Sequence, residues 1–361
     1  MLPHSNGVLK NIEEKVLNEE RLSFDDGVAL LNSPDLLGLG YLANVVRERK
    51  NGQVAYFINN RHINHTNICI NRCKFCAFSK TKGEDNSYAM TIEDILKAAE
   101  SYNNGRVSEF HIVGGLHPDL PFSYYLDMLE ELHKKFPGVH LQAFTAVEIV
   151  HLAELAGLSV KETLQKLKKV SLSALPGGGA EIFNPETRNK ICPEKISGEK
   201  WLEVMKTAHK VGLKSNATML YGHIESPEDM VNHLMELRQL QDITNGFLAF
   251  IPLAFHPANT SMKERQSTTA HLDLKILAVS RLMLDNFPHI KAFWIMVGAK
   301  IAQLSLSFGV DDIDGTVVEE KITHAAGAKT EEYIEKDLLI RLVNEAGREA
   351  VERDTLYNVV S

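Results

Sequence analysis

Cysteine is scarce in this chain, four residues in 361, and tryptophan occurs twice. No apolar run reaches the roughly 18 residues of a membrane-spanning helix, so no membrane association is expected. Positive charge is in the minority. Lys plus Arg total 39 against 47 for Asp plus Glu, and the net charge of −8 excludes the basic footprint of a nucleic-acid binder, leaving a small molecule as the expected partner. The opening residues Met1-Leu2-Pro3-His4-Ser5-Asn6 lack the charged and apolar regions of a secretory signal, so a cytoplasmic location is expected. No internal repeat or low-complexity tract stands out. With 44% hydrophobic and 24% charged residues, the composition excludes disorder and a small disulfide-stapled scaffold.

What is present is alternation. Apolar, β-branched or aromatic runs bounded by Gly, Pro or Asn take turns with helical patterns, the signature of βαβ units around a parallel sheet. Strands are expected at 54–63, 109–113, 140–145, 170–175, 215–221, 247–255, 290–296 and 306–310, with helices at 91–102, 123–136, 160–168, 198–211, 227–241, 271–286 and 299–306. Ser226-Pro227 followed by Glu228 and Asp229 is a strong helix start, combining a cap, a first-position proline and first-turn acids. Eight strands fit a (β/α)8 barrel of the TIM type better than a doubly wound sheet, because no glycine-rich nucleotide loop follows the first strand. The expected organisation is an α/β barrel at 51–328, an N-terminal helical extension at 1–50, and a C-terminal extension at 329–361 whose helix, 330–351, packs on the barrel.

The few cysteines are not scattered. Cys69, Cys73 and Cys76 form a CxxxCxxC sequence, with Phe75 before the last, just after the first expected strand. In a reducing compartment clustered thiols bind metal or do redox chemistry rather than form disulfides. Three soft thiolates suit an iron–sulfur cluster, and a [4Fe-4S] cubane with three protein ligands keeps one iron open. A structural zinc site would ordinarily add a second Cys or His pair, which is missing, and a four-cysteine cluster would have to recruit Cys192. Cys192, in Asn189-Lys190-Ile191-Cys192-Pro193, is read instead as an unrelated buried thiol. The loop begins at a strand's C-terminal end, where barrels of this type carry their chemistry.

On this loop the chain resembles the radical S-adenosylmethionine (SAM) enzymes. The resemblance implies a [4Fe-4S] cluster on Cys69, Cys73 and Cys76, chelation of SAM by the open iron, and reductive cleavage of SAM to methionine and a 5′-deoxyadenosyl radical. An electron donor such as flavodoxin or ferredoxin is implied with it. Gly114-Gly115, ending the second expected strand, resembles the glycine pair that lets backbone approach the methionine end of SAM, although Leu116 stands where an acid is usual; a tight turn is the alternative. Gly222-His223-Ile224-Glu225 resembles the GxxE adenine-side segment. Glu148, just past the third strand, has the acceptors for two ribose hydroxyls, the alternative being a solvated acid at a helix start.

His65, His117, His223 and His256 each stand at or just past a strand end, and four histidines on one rim suit an anionic substrate or proton transfer, with a second metal site as the alternative. Leu175-Pro-Gly-Gly-Gly-Ala-Glu-Ile182 can turn backbone N–H groups toward an anion, and Arg188 and Lys190 follow close enough to reach a carboxylate. The segments HIVGGLHPDLP (111–121), AFTAVEI (143–149), LPGGGAEIF (175–183), NATMLYGHIE (216–225) and FIPLAFHPANT (250–260) resemble the aminofutalosine synthase family, over about residues 50–350. That resemblance implies addition of the adenosyl radical to 3-[(1-carboxyvinyl)oxy]benzoate, an enolpyruvyl benzoate. The products would be 6-amino-6-deoxyfutalosine, methionine and bicarbonate, in menaquinone biosynthesis, with SAM consumed. The nearest alternative is dehypoxanthine futalosine cyclase, which carries Met-Phe-Gly and Trp-Thr-Phe-Gln where this chain has Leu220-Tyr221-Gly222-His223 and Leu253-Ala254-Phe255-His256. His223 and His256 thereby join His117 and Arg188 as the expected catalytic set, and a non-catalytic iron–sulfur protein is the remaining alternative.

Overall fold

A computed structural model describes residues 8–101 and 107–360; the opening six residues and Tyr102, the end of one expected helix, lie outside them. Ten strands are described: β1 (Val54–Ile58), β2 (Asn60–Ile63), β3 (Glu109–Ile112), β4 (His140–Ala143), β5 (Leu172–Leu175), β6 (Lys214–Tyr221), β7 (Phe247–Ala254), β8 (His289–Ile290), β9 (Asp312–Gly315) and β10 (Glu349–Arg353). Strands β2 to β8 form one parallel seven-stranded sheet in sequence order, and β10, β1 and β9 form a second parallel sheet in that order. A bridge between Lys291 and Asp312, with Ala292 N–H donating to the Asp312 carbonyl at 2.8 Å, links β8 to β9, and β9 pairs with β1. The two ends of the curled sheet are thus connected through β9 and β1.

The helices between strands start where local chemistry directs. Thr91, Thr145, Ser159 and Ser226 each close a capping box with an acid three residues on, satisfying donors that a helix start leaves free. Their apolar faces cover the sheet with fully buried residues such as Leu129, Leu132, Leu164, Leu167, Trp201 and Leu237. Helices Val8–Leu17, Phe24–Asn32 and Leu36–Asn51 occupy the expected N-terminal extension. One helix absent from the sequence reading, Ala146–Ala156, buries most of its circumference, so it carries no amphipathic period to detect.

Four expectations need correction. The first strand is two, broken at Asn59. The Asn59 and Asn60 side chains meet the chain beyond β9, with Thr316 Oγ1 donating to Asn59 Oδ1 at 3.2 Å and Val317 N–H to Asn60 Oδ1 at 2.9 Å. The eighth strand is not 306–310, whose apolar residues are buried where a helix ends and Gly309 turns the chain at φ 92°. It is the acidic Asp312–Gly315, tolerated inside because Arg353 Nε and the Tyr357 hydroxyl donate to Asp312 at 2.6 and 2.7 Å, and Lys291 Nζ donates to Asp314 at 3.0 Å. The strand expected at 290–296 stops at Ile290 and gives way to a short helix, Trp294–Val297, pinned by the indole N–H on the Gly315 carbonyl. The C-terminal helix spans only Lys336–Glu345. Gly347, at φ 74°, ends that segment, and the chain returns as β10 along β1.

Parallel sheets usually bury apolar residues on both faces. Here the register sets Asn60 beside Glu109, and His62 beside His111 and then Gln142, so β2 to β4 place rows of polar side chains together.

Candidate active site

Residues 64–80 leave β2 and form the cysteine loop. Cys69 N–H donates to the Lys80 carbonyl at 3.0 Å, Ile70 N–H to Leu116 at 3.1 Å, and Lys74 N–H to Ile191 at 2.8 Å. The Arg72 guanidinium donates to the Cys69 and Asn71 carbonyls and to Thr81 Oγ1. So held, Cys69, Cys73 and Cys76 line one cavity of about 300 Å³. Burial and mutual repulsion of the developing thiolates push the Cys69 and Cys76 thiols up. A soft cationic centre removes that penalty. Among the described residues no three His, Cys, Asp or Glu side chains gather as they would around a single metal ion. Three half-buried thiols spread around one cavity fit a polynuclear cluster, whose ligands each bind a different iron.

Cys192 is nearer this centre than its position in the chain suggests. It is buried, and its thiol shares a hydrogen bond with Cys73, which together with burial pushes Cys73 up. It is therefore a neighbour of the loop rather than an unrelated thiol, although it does not line the cavity.

Gly114, Gly115 and Glu148 meet at the cavity wall. A Cβ on Gly114 would stand 2.5 Å from the His65 ring. The Glu148 carboxylate accepts the Gly114 N–H at 3.0 Å and the Thr145 N–H at 2.7 Å, so it is a buried acid between a helix start and the glycine pair and not a solvated one. Burial pushes it up to about 7. His256 also lines the cavity, with Nε2 directed to the Met296 carbonyl at 3.0 Å.

The other expected residues do not reach the cavity. His117 Nδ1 accepts the Asp119 and Leu120 N–H groups, and its carbonyl receives His151 Nε2, so it shapes its own loop. His223 is spent on the Leu220 carbonyl and the Ile224 N–H. Glu225 accepts the Gly222 and His223 N–H groups, and Gly222, at φ 88°, turns against Thr268. This turn follows β6 without lining the cavity. Arg188, 4% exposed, donates to the Gly179, Ala180, Ile182 and Ile196 carbonyls, so it braces the glycine loop instead of awaiting a carboxylate. His65 is fully buried behind Gly114 among Tyr124, Tyr125 and Phe144. The rim of four histidines thus reduces to His256.

Residues that the sequence reading passed over take their place. His62, His111, Gln142, Asn216, Thr218, Lys291 and Asp314 line the cavity from the strands or just after them. His62 and His111 stack at 4.4 Å between centroids, and His111 Nδ1 meets Gln142 Oε1 at 3.1 Å. Near the thiols, Lys195 pairs with Glu181 at 2.5 Å and stands 5.2 Å over the Phe75 ring. Their signal in the sequence is polar residues at strand positions of one parity rather than at strand ends.

The chain is similar to known proteins. A model of the radical SAM superfamily matches residues 63–237, and one of the CofH/MqnC C-terminal region matches residues 244–361. An aminodeoxyfutalosine synthase from Thermus thermophilus is 47% identical over 97% of this chain and 95% of its own length. One from Streptomyces coelicolor is 44% identical over 98% and 94%. Among solved structures, methylornithine synthase superposes with a TM-score of 0.74 over 94% of this chain and 97% of its own, at 18% identity, a likeness of fold alone.

Proposed function

Because the chain belongs to the radical SAM superfamily, and within it to the family of the aminodeoxyfutalosine synthases, we propose that it joins the adenosyl group of SAM to 3-[(1-carboxyvinyl)oxy]benzoate. The products are 6-amino-6-deoxyfutalosine, methionine and bicarbonate, a step toward menaquinone. One observation carries the reading: a single cavity joins three thiols at the strand ends to a polar and aromatic interior borne on the strands.

Enzymes of this superfamily use a [4Fe-4S] cluster and SAM, and such a cluster, when bound, would supply one-electron reducing chemistry for cleavage of SAM. Cys69, Cys73 and Cys76 would hold the cluster. Gly114 and Gly115 let the methionine end approach, and Glu148 receives the ribose hydroxyls. Gly222 and Glu225 support that side through the turn they form. His256, the strand-end histidine that lines the cavity, touches substrate in this reading, while His117, His223 and Arg188 keep the surrounding loops in place. Adding a carbon radical to an alkene depends on holding the two carbons near contact, so positioning rather than acid–base strength governs the rate. Flavodoxin or ferredoxin is the electron donor in this reading, and the cytoplasm, where thiols stay reduced, is the compartment. No helix among the described residues is long and apolar enough to cross a membrane.

The test is product mass after anaerobic incubation of the reduced protein with SAM and the enolpyruvyl benzoate. A product containing the adenosyl mass, with methionine released, is expected. Free 5′-deoxyadenosine without an adduct would transfer the chain to a hydrogen-abstracting sister activity such as the futalosine cyclase, and no SAM cleavage would leave a non-catalytic iron–sulfur protein.

A further inference from the structure

Resting on that reading, we propose that the inner end of the cavity is an aryl-carboxylate subsite, in which Lys291 and His62 receive the ring carboxylate of the substrate and Phe293 with the His62–His111 stack holds its ring.

His62 and His111 are register partners on β2 and β3, and their rings stack with 13° between planes. Phe293 lies parallel to His62, 6° between planes and 6.1 Å between centroids. All three line the cavity, giving it a flat-ringed wall suited to an arene. His62 is 6% exposed, yet its buried Nε2 meets no hydrogen-bond partner among the described residues. A buried polar atom without a partner is uncommon, and in a cavity wall it points to a ligand. Burial keeps this ring neutral, so it offers one donor and one acceptor.

Lys291 supplies the charge. It is buried and lines the cavity, and its Nζ donates to Asp314 Oδ1 at 3.0 Å, which leaves two of the three ammonium donors for a second acceptor. Asp314 spares the free protein an unpaired buried cation. A carboxylate bound here adds a charge-assisted hydrogen bond that a neutral isostere cannot make. His111 is held in place by Gln142, so the wall is set before the ligand arrives. These residues lie on the strands or just after them, whereas the thiols lie on the loop beyond β2, so the ring enters first and the enol ether is left facing the SAM end. The subsite selects a flat aromatic acid by its carboxylate.

The experiment compares 3-[(1-carboxyvinyl)oxy]benzoate with its counterpart carrying a ring carboxamide, in the wild type, Lys291→Met and His62→Phe. The wild type is expected to lose about 100-fold in kcat/KM on the amide, the size of one or two charge-assisted hydrogen bonds. In Lys291→Met the preference should shrink to within about threefold, with iron content within about twofold of wild type. His62→Phe should keep the stack and lose part of the preference. A folded Lys291→Met that retains the full preference overturns the subsite. Calorimetric binding of 3-methoxybenzoate against 3-methoxybenzamide to the wild type decides the matter without any variant, since equal affinities also overturn it. Preferential benzoate binding without an adenosyl adduct would sink the proposed reaction and leave the subsite standing; an adduct without preference would do the reverse.

Discussion

Gly115 lies so close to Ile68 that a Cβ on the glycine would stand 2.2 Å from the Ile68 carbonyl oxygen and 3.1 Å from Cys69 Cβ. The chain entering the cysteine loop is laid directly on the segment leaving β3, and Gly115 N–H donates to the Thr66 carbonyl at 2.8 Å. Gly115→Ala must push the loop away. The variant is expected to fold but to hold several-fold less iron and sulfide after anaerobic reconstitution. Full cluster content would show that the contact is dispensable.

Arg188 braces four carbonyls and faces no carboxylate in the cavity. Its replacement by Met leaves buried acceptors unpaired at a cost of roughly 1–3 kcal/mol each. A melting temperature lower by on the order of 5 °C or more is expected. The KM for the aryl substrate should change little at temperatures where the variant is folded. A stable variant with a much raised KM would return Arg188 to the substrate.

Glu148 gives the fold a pH dependence of defined sign. Its carboxyl is raised from the usual 4.5 to about 7 by burial, against the pull of the Thr145 and Gly114 N–H groups. The folded state holds this proton more tightly than the unfolded chain, so the contribution is present below about pH 4.5 and is lost as pH rises through 7, in total about 3 kcal/mol. Urea unfolding of the SAM-free protein at pH 5 and 7.5 should show a steeper loss in wild type than in Glu148→Gln. Equal losses would remove Glu148 as the source.

Cys192 touches Cys73 without joining the cavity wall. Cys192→Ala is expected to keep full iron and sulfide content at a stability cost of about 1 kcal/mol, the scale of a small core deletion. Cys73→Ala should lose the cluster. Cluster loss in Cys192→Ala would make it a fourth ligand.

The cysteine loop, the parallel α/β fold and the two glycines were legible from the chain because their cause is local. Ligand spacing, the alternation of strands and helices, and the need for a residue without Cβ are all written within short stretches. The eighth strand was not legible. Asp-Ile-Asp-Gly reads as a turn until Arg353, Tyr357 and Lys291 arrive from elsewhere to neutralise it. Strand β10 was hidden for a related reason: its pairing along β1 joins distant parts of the chain, and no helical or strand period announces a partner.

The histidines divide along the same line. The sequence by itself determined that three closely spaced thiols stand just after a strand end, since that spacing depends only on which residues are neighbours in the chain. Which histidines face the cavity was decided in three dimensions. His117 and His223 sit at strand ends but turn their nitrogens to nearby backbone, while His62 and His111, inside strands, are brought together by register and pleat. A side chain's direction follows from the strand it rides on and the neighbour that strand pairs with, and both exist only once the sheet has closed around them.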